Sequence, residues 1–308
     1  MTSEPNAGGT ILSSSASPSS AVEAERDEGA EADDLALTLI RPISRWRWME
    51  LVEFWNYRDL LWMLVLRDIK VRYKQTLIGA TWAVVQPLTT MVVFYTLFRL
   101  IGAQPVSPGV PYVVSVYGGL LLWQLFSTSL TQSSQSLVDN QAILKKVYFP
   151  RLILPLTPAL AALVDFAIGL TLLFGLIAWY RVTLPWTALA LPAFVFLAVI
   201  TALAVGLWFS ALSARYRDFR YVVPFVAQIW LYVTPVLYET SSVIPESWRP
   251  WYFLNPMAGI VEGFRWALFG SGSLPLGQLG VSTLVTCLLL ATGLAYFRRV
   301  EDTLADWV

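Results

Sequence analysis

Six stretches of this chain run for about twenty residues almost without charge, and they decide what it can fold into. They are Ala80 to Leu100, Tyr112 to Gln132, Leu152 to Trp179, Pro185 to Leu212, Tyr221 to Tyr238 and Leu276 to Phe297. A helix of about 20 mostly apolar residues crosses the ~30 Å hydrocarbon core of a bilayer. Helix is the form to expect, because in lipid each backbone N–H and C=O must find its partner inside the segment. A large water-soluble helical core would need polar faces on these helices, and they have almost none. The expected fold class is all-α: a polytopic membrane protein with six transmembrane helices.

Lysine and arginine fix the orientation by collecting on the cytoplasmic side. With both termini inside, 17 of the 21 cationic residues fall there. Those from Arg26 to Lys74 precede the first span. Lys145, Lys146 and Arg151 lie between the second and third, Arg215, Arg217 and Arg220 between the fourth and fifth, and Arg298 and Arg299 after the sixth. Only Arg99, Arg181, Arg249 and Arg265 fall on or near the outer side. The expectation is a multi-pass protein of the plasma membrane with both ends cytoplasmic.

The regions outside the spans divide by composition. Residues 1–34 hold eight acids and one arginine among Ser, Ala and Gly, which reads as a disordered acidic tail. They lack the basic start and apolar core of a signal peptide. Residues 35–78 form an amphipathic interface helix and a basic cytoplasmic segment before the first span, 79–300 the six-span domain, and 301–308 a cytoplasmic C-terminus.

Several chemistries are excluded. There is no histidine, and the single cysteine, Cys287, sits in an apolar run. Zinc sites, Cys–His nucleophiles, disulfide frameworks and histidine acid–base catalysis are therefore absent, so no catalytic residue and no metal site is expected. The net charge is zero, which gives no case for a nucleic-acid partner. The phosphate-loop pattern G-x-x-x-x-G-K-[ST] does not occur, and Gly is never followed by Lys. If transport is ATP-driven, the ATP is held by another polypeptide.

Four regions can carry function. In "RWRWMELVEFWNYRDLLWMLVL", 45 to 66, Leu51, Phe54, Trp55, Leu61, Trp62, Val65, Leu66 and Ile69 share one side of a helical wheel. Glu53, Arg67 and Lys70 lie roughly opposite, and Arg58 breaks the pattern. This predicts an amphipathic interface helix on the inner leaflet, with packing against another soluble domain as the alternative. Arg67, Asp68, Lys70, Arg72 and Lys74 follow as a charged octet that cannot enter hydrocarbon and marks the membrane boundary.

Between spans two and three, "DNQAILKKVYFPR", 139 to 151, offers Asp139 or Asn140 as a helix cap. Pro150 stops the helix at Phe149. A two-turn helix carrying Leu144, Lys145, Lys146, Tyr148 and Phe149 makes a protruding knob on which a cytoplasmic partner can push. An ordinary basic loop is the other reading, and spacing alone leaves both open. Between spans five and six, Pro250 and Asn255-Pro256 break residues 239–275 into short helical pieces. Glu262 and Arg265, three apart, can pair on one face. An outer gate of re-entrant helices, with Trp251, Asn255, Glu262 and Arg265, competes here with a plain packing cap.

Within the spans, Asp165 is the clearest ionisable group. It has no inward Lys or His to relay a proton to, so a hydrogen bond to a neighbouring helix, or a position nearer the interface, is the better expectation. The 14 Trp, 13 Tyr and 16 Phe suit interfacial belts. They also supply flat faces for sugar rings; Trp82, Tyr95, Phe98, Tyr117 and Trp123 are the candidates for lining a channel.

The stretches "YRDLLWMLVLRDIKVRYKQTLIGATWAVVQPL" (57–88), "LKKVYFPRLILPL" (144–156), "ARYRDFRYVVP" (214–224), "LNPMAGIVEGFRWALFG" (254–270) and "FRRVEDTLADWV" (297–308) together resemble the membrane subunit of type-2 ABC transporters that export cell-envelope polysaccharides such as O-antigens and teichoic acids. The resemblance covers about residues 45 to 308. It implies a homodimer working with a separate ATPase subunit, which holds ATP and Mg, while this chain holds no cofactor. It also implies that 139–149 is the coupling helix, that 240–270 is the outer gate, and that a lipid-linked glycan passes between the subunits. Arg67, Lys70, Arg72 and Lys74 are then placed to meet the lipid pyrophosphate or membrane headgroups. The acidic tail is not required by that pattern. A type-2 permease for a drug or small lipid is the nearest alternative. A membrane-embedded transferase lacks paired acids, and an ion-coupled carrier lacks internal charge and repeats.

Overall fold

A computed structural model of the chain describes residues 55–74, 81–101, 110–270 and 276–301. The acidic tail, the first part of the expected interface helix at 45–54 and the residues after 301 lie outside the described residues. Among the described residues all regular structure is helical. In chain order the helices are α1 (Arg58–Lys74), α2 (Trp82–Ile101), α3 (Tyr112–Asp139), α4 (Gln141–Leu144), α5 (Ile153–Trp179), α6 (Leu191–Arg215), α7 (Phe219–Val233), α8 (Thr240–Val243), α9 (Arg249–Tyr252), α10 (Pro256–Phe269) and α11 (Leu276–Glu301). Short 3-10 turns at Trp186–Ala190 and Glu246–Trp248 lead into α6 and α9.

Helix α3 is the axis of the bundle. It is the most enclosed of the long helices, with α5 and α6 packed along it and α2, α7 and α10 against its other sides. Small residues let the backbones approach, as helix pairs in lipid require. A Cβ on Gly169 of α5 would collide with the Leu121 side chain of α3, and one on Gly206 of α6 would stand 3.0 Å from Ser133. Buried hydroxyls stitch the same seams. Ser133 donates to the carbonyl of Pro155 at 2.6 Å, and the hydroxyls of Thr201 and Thr286 join α6 to α11 at 3.0 Å.

Among the described residues, five helical stretches are long and apolar enough to cross a membrane: α2, α3, α5, α6 with its leading turn, and α11. The fifth expected span differs. Its helix, α7, ends at Val233 after 15 residues, about 22 Å and short of the ~30 Å core. The cause is local. Thr234 precedes Pro235, which disfavours helical geometry at Thr234, and Thr234 adopts extended angles.

Helix α1 packs against α5. Its buried Leu64 joins Leu137, Phe149, Ile153, Leu207, Phe297 and Val300 in a second apolar cluster at one end of the bundle. Two turns later its Arg72 meets Asp165, near the midpoint of α5. The charged octet is thus the C-terminal half of α1, and Trp55, Trp62 and Met63 form an outward apolar face.

Helix α10 starts where local chemistry places it. Asn255 caps it through its side chain, which accepts from the Met257 amide at 3.1 Å, and Pro256 takes the first turn. It ends at Gly270, whose φ of 63° is left-handed and suits glycine. Met257, Ile260, Val261, Phe264 and Leu268 are wholly buried. The helix is therefore part of the core, packed on α11, α6 and α3.

Candidate functional site

The knob between α3 and α5 is shorter than two turns. Helix α4 stops at Leu144, and residues 147–150 are non-helical. Asn140 does not cap α4 with its side chain. Its Nδ2 instead donates to the Ser136 carbonyl at 2.9 Å, and its Oδ1 accepts from Arg67 of α1 at 2.9 Å. Asp139 faces Arg220 across 3.8 Å. Lys145, Lys146 and Tyr148 are exposed, whereas Phe149 is buried in the cluster under α1, with Leu144 partly buried beside it. The segment is thus a turn pinned at Asn140 and Phe149, presenting Lys145 to Tyr148.

The four expected headgroup cations separate. Lys70 and Lys74 are exposed. Arg67 is engaged with Asp68 at 2.8 Å as well as with Asn140. Arg72 forms an ion pair with Asp165 and donates to Gln132 Oε1 at 2.5 Å. The Tyr73 hydroxyl also bonds Asp165. Burial first, and this bond second, push the Tyr73 phenol well above its ordinary range, so it stays a donor. Arg72 therefore carries no spare charge for a phosphate; the attraction of Asp165 and the cost of leaving either charge unpaired hold it. The hydrogen-bonding role expected of Asp165 is filled by α1.

These groups edge an open-sided cavity of about 330 Å³ lined by α1, α2, α3 and α5. Its wall carries Gln86 of α2 and Gln124, Thr128 and Gln132 of α3. Gln124 Nε2 donates to Gln86 Oε1 at 3.2 Å and to Thr128 Oγ1 at 3.3 Å. Trp82, 54 % exposed, stands at the rim, and Leu121, Leu125 and Phe166 complete the apolar side. Sequence reasoning missed this pocket. The signal was the spacing of four between Gln124, Thr128 and Gln132, which puts three polar side chains on one face of an otherwise apolar helix.

The aromatic candidates split in the same way. Trp82 and Tyr95 are exposed. Phe98 is half-buried, 5.9 Å from the Tyr112 ring between centroids. Tyr117 and Trp123 do not line a channel. Tyr117 is fully buried with its hydroxyl on the Gly169 carbonyl at 3.2 Å, and Trp123 packs on Phe126 and Trp230. Both sit at buried positions of α3.

At the gate segment, Trp251 is 70 % exposed. Asn255 is a staple: its Oδ1 also accepts from Trp230 Nε1 at 2.9 Å, and its Nδ2 donates to Thr234 Oγ1 at 3.0 Å. Arg265 does not form the expected ion pair with Glu262. Its guanidinium donates to the carbonyls of Val236 and, at 2.7 Å, Tyr238. Those carbonyls lie beyond the end of α7 and have no helix to serve them. Burial pushes the Glu262 carboxyl above its ordinary range, with Thr240 and Arg265 pulling it partly back.

The family model described as ABC-2 type transporter matches residues 59–269. The O-antigen export system permease protein RfbA of Myxococcus xanthus is 30 % identical over 253 residues, covering 81 % of this chain and 96 % of that protein. The protein of the same description from Klebsiella pneumoniae is 30 % identical over 250 residues, 80 % and 94 % of the two chains. The polysialic acid transport protein KpsM of Escherichia coli is 25 % identical over 258 residues, 78 % and 93 %.

Proposed function

The chain belongs to the ABC-2 type transporter family, and from that premise we propose that it is the membrane subunit of an exporter that moves a lipid-linked polysaccharide across the plasma membrane. The observation that carries this reading is the match, over nearly the whole of each relative, to an O-antigen export permease and a polysialic acid transport protein. The drug or small-lipid alternative has no such support.

Two copies of the chain form the conduit, and a separate ATPase drives it. ATP and Mg belong to that partner. The turn at 139–149 receives its push through Lys145, Lys146 and Tyr148, which are exposed. The tie from Asn140 to Arg67 passes the movement into α1. A rigid, pinned turn suits such a lever better than a flexible loop. Lys70 and Lys74 draw the pyrophosphate or the headgroups of the inner leaflet. Trp251 and the short helices around it close the outer end.

The chain crosses six times, with both ends cytoplasmic. Helix α7 and the buried turn that follows it make the fifth crossing. Non-helical backbone is tolerated at membrane depth where protein satisfies it, and Arg265 and Asn255 serve the carbonyls of Val236, Tyr238 and Val233.

Deleting the chain in its native cell tests the exporter reading. Surface polysaccharide should disappear and return on complementation, and the purified chain should bring down an ATPase with a phosphate-loop motif. Unchanged surface polysaccharide in the deletion strain overturns the reading.

A further inference from the structure

We infer that the cavity between α1, α2, α3 and α5 is a saccharide subsite, which holds a short uncharged segment of the glycan inside each subunit. The inference rests on the exporter reading and adds a place of contact to it.

Charge decides what the cavity suits. Among the described lining residues the one cation, Arg72, is neutralised by Asp165 and occupied by Gln132, and the exposed Lys70 and Lys74 are not among them. A pyrophosphate would find no uncompensated positive charge on those residues. A polyhydroxylated ring finds a mixed set of donors and acceptors. Among the described residues, Gln124 Oε1, Gln86 Nε2 and Gln132 Nε2 make no hydrogen bond, since only the opposite atoms of these amides are engaged. An amide offers both senses of hydrogen bond, which matches a sugar hydroxyl that donates and accepts at once.

Shape agrees. The volume of about 330 Å³ is at the small end of ligand pockets, ~300–1,000 Å³, enough for a short saccharide segment and too small for a long chain. The Trp82 ring at the rim supplies a flat apolar face for the C–H side of a sugar. The ion pair matters here as a fixed wall, because it holds α1 against α5 and keeps the cavity open between them.

The test is photocrosslinking of the full transporter in its own membrane. With Ala83→p-benzoylphenylalanine, inside the pocket, irradiation should give an adduct carrying periodate-oxidisable sugar. The same analogue at exposed Val93 on α2 should give little. Gln124→Ala should lower the adduct about fivefold, the loss of one hydrogen bond, at unchanged chain level. A second readout uses Thr128→Cys in a Cys287→Ala chain, where alkylation should slow in cells making the lipid-linked glycan relative to cells blocked in its synthesis. Sugar on position 93 as strongly as on 83, or no sugar at 83 with unprotected Cys at 128 while surface polysaccharide persists, overturns the subsite. Surface polysaccharide that persists in the deletion strain overturns the exporter reading instead.

Discussion

The guanidinium of Arg72 in α1 pairs with the carboxylate of Asp165 near the midpoint of α5, so the charged stretch before the first long helix is carried inward by a partner. The pair should hold α1 in place. Removing one member of a fully buried pair costs about 3–5 kcal/mol. With the side chains here 25 % and 20 % exposed, Asp165→Ala should cost about 2 kcal/mol, because Arg72 is left unpaired. The double variant Arg72→Met/Asp165→Leu should recover much of that loss, since no charge is then stranded. Melting of the detergent-solubilised chain reads both. If Asp165→Ala melts with the parent, the ion pair does not anchor α1.

Neighbouring residues in the 139–149 turn should fail in different ways. Phe149 is 3 % exposed and Tyr148 74 %. Phe149→Ala leaves a cavity under α1 and should lower stability by about 3 kcal/mol. Tyr148→Ala should leave melting unchanged while reducing chain-stimulated ATP hydrolysis and export. Matching hydrolysis rates in Tyr148→Ala and the parent would remove Tyr148 from the coupling surface.

What could be read from the sequence was what local chemistry or lipid solubility dictates. The start of α10 at Asn255-Pro256 is legible because a cap and a first-turn proline act within a few residues. The spans that begin at Tyr112 and Leu276 are legible because no charged residue interrupts them. The partner of Asp165 is not, because it lies more than ninety positions away in the chain and only packing brings it there. The burial of Tyr117 and Trp123 is equally hidden. An aromatic residue on a long apolar helix looks the same whether the helix faces lipid or, like α3, lies at the centre. Helix α7 is shorter than its apolar run because Thr234-Pro235 ends it, a signal present in the sequence but outweighed there by hydrophobicity.

The fifth crossing can be tested with the chain's own cysteine removed. Cys287 is exposed, so labelling begins from Cys287→Ala. In that background Lys145→Cys should react with an impermeant thiol reagent only from the cytoplasmic side. Trp248→Cys, on the 3-10 turn before α9 and 66 % exposed, should react only from outside. Reaction of both from one side would mean that α7 and the residues after it do not cross.

Glu262 should make stability depend on pH. Burial raises its pKa, so the folded chain holds this proton to higher pH than the unfolded chain does. Stability therefore falls as pH rises from the ordinary carboxylate range through the raised one. Glu262→Gln has no charge to bury. The variant should melt above the parent near about pH 7, and the gap should close near about pH 4, where both side chains are neutral. The opposing influence is Arg265, whose attraction favours the ionised form. Its guanidinium is already held by the carbonyls of Val236 and Tyr238, which leaves desolvation the larger effect. A Glu262→Gln variant that melts below the parent at neutral pH, with the gap narrowing in acid, would show that Arg265 depends on that carboxylate after all.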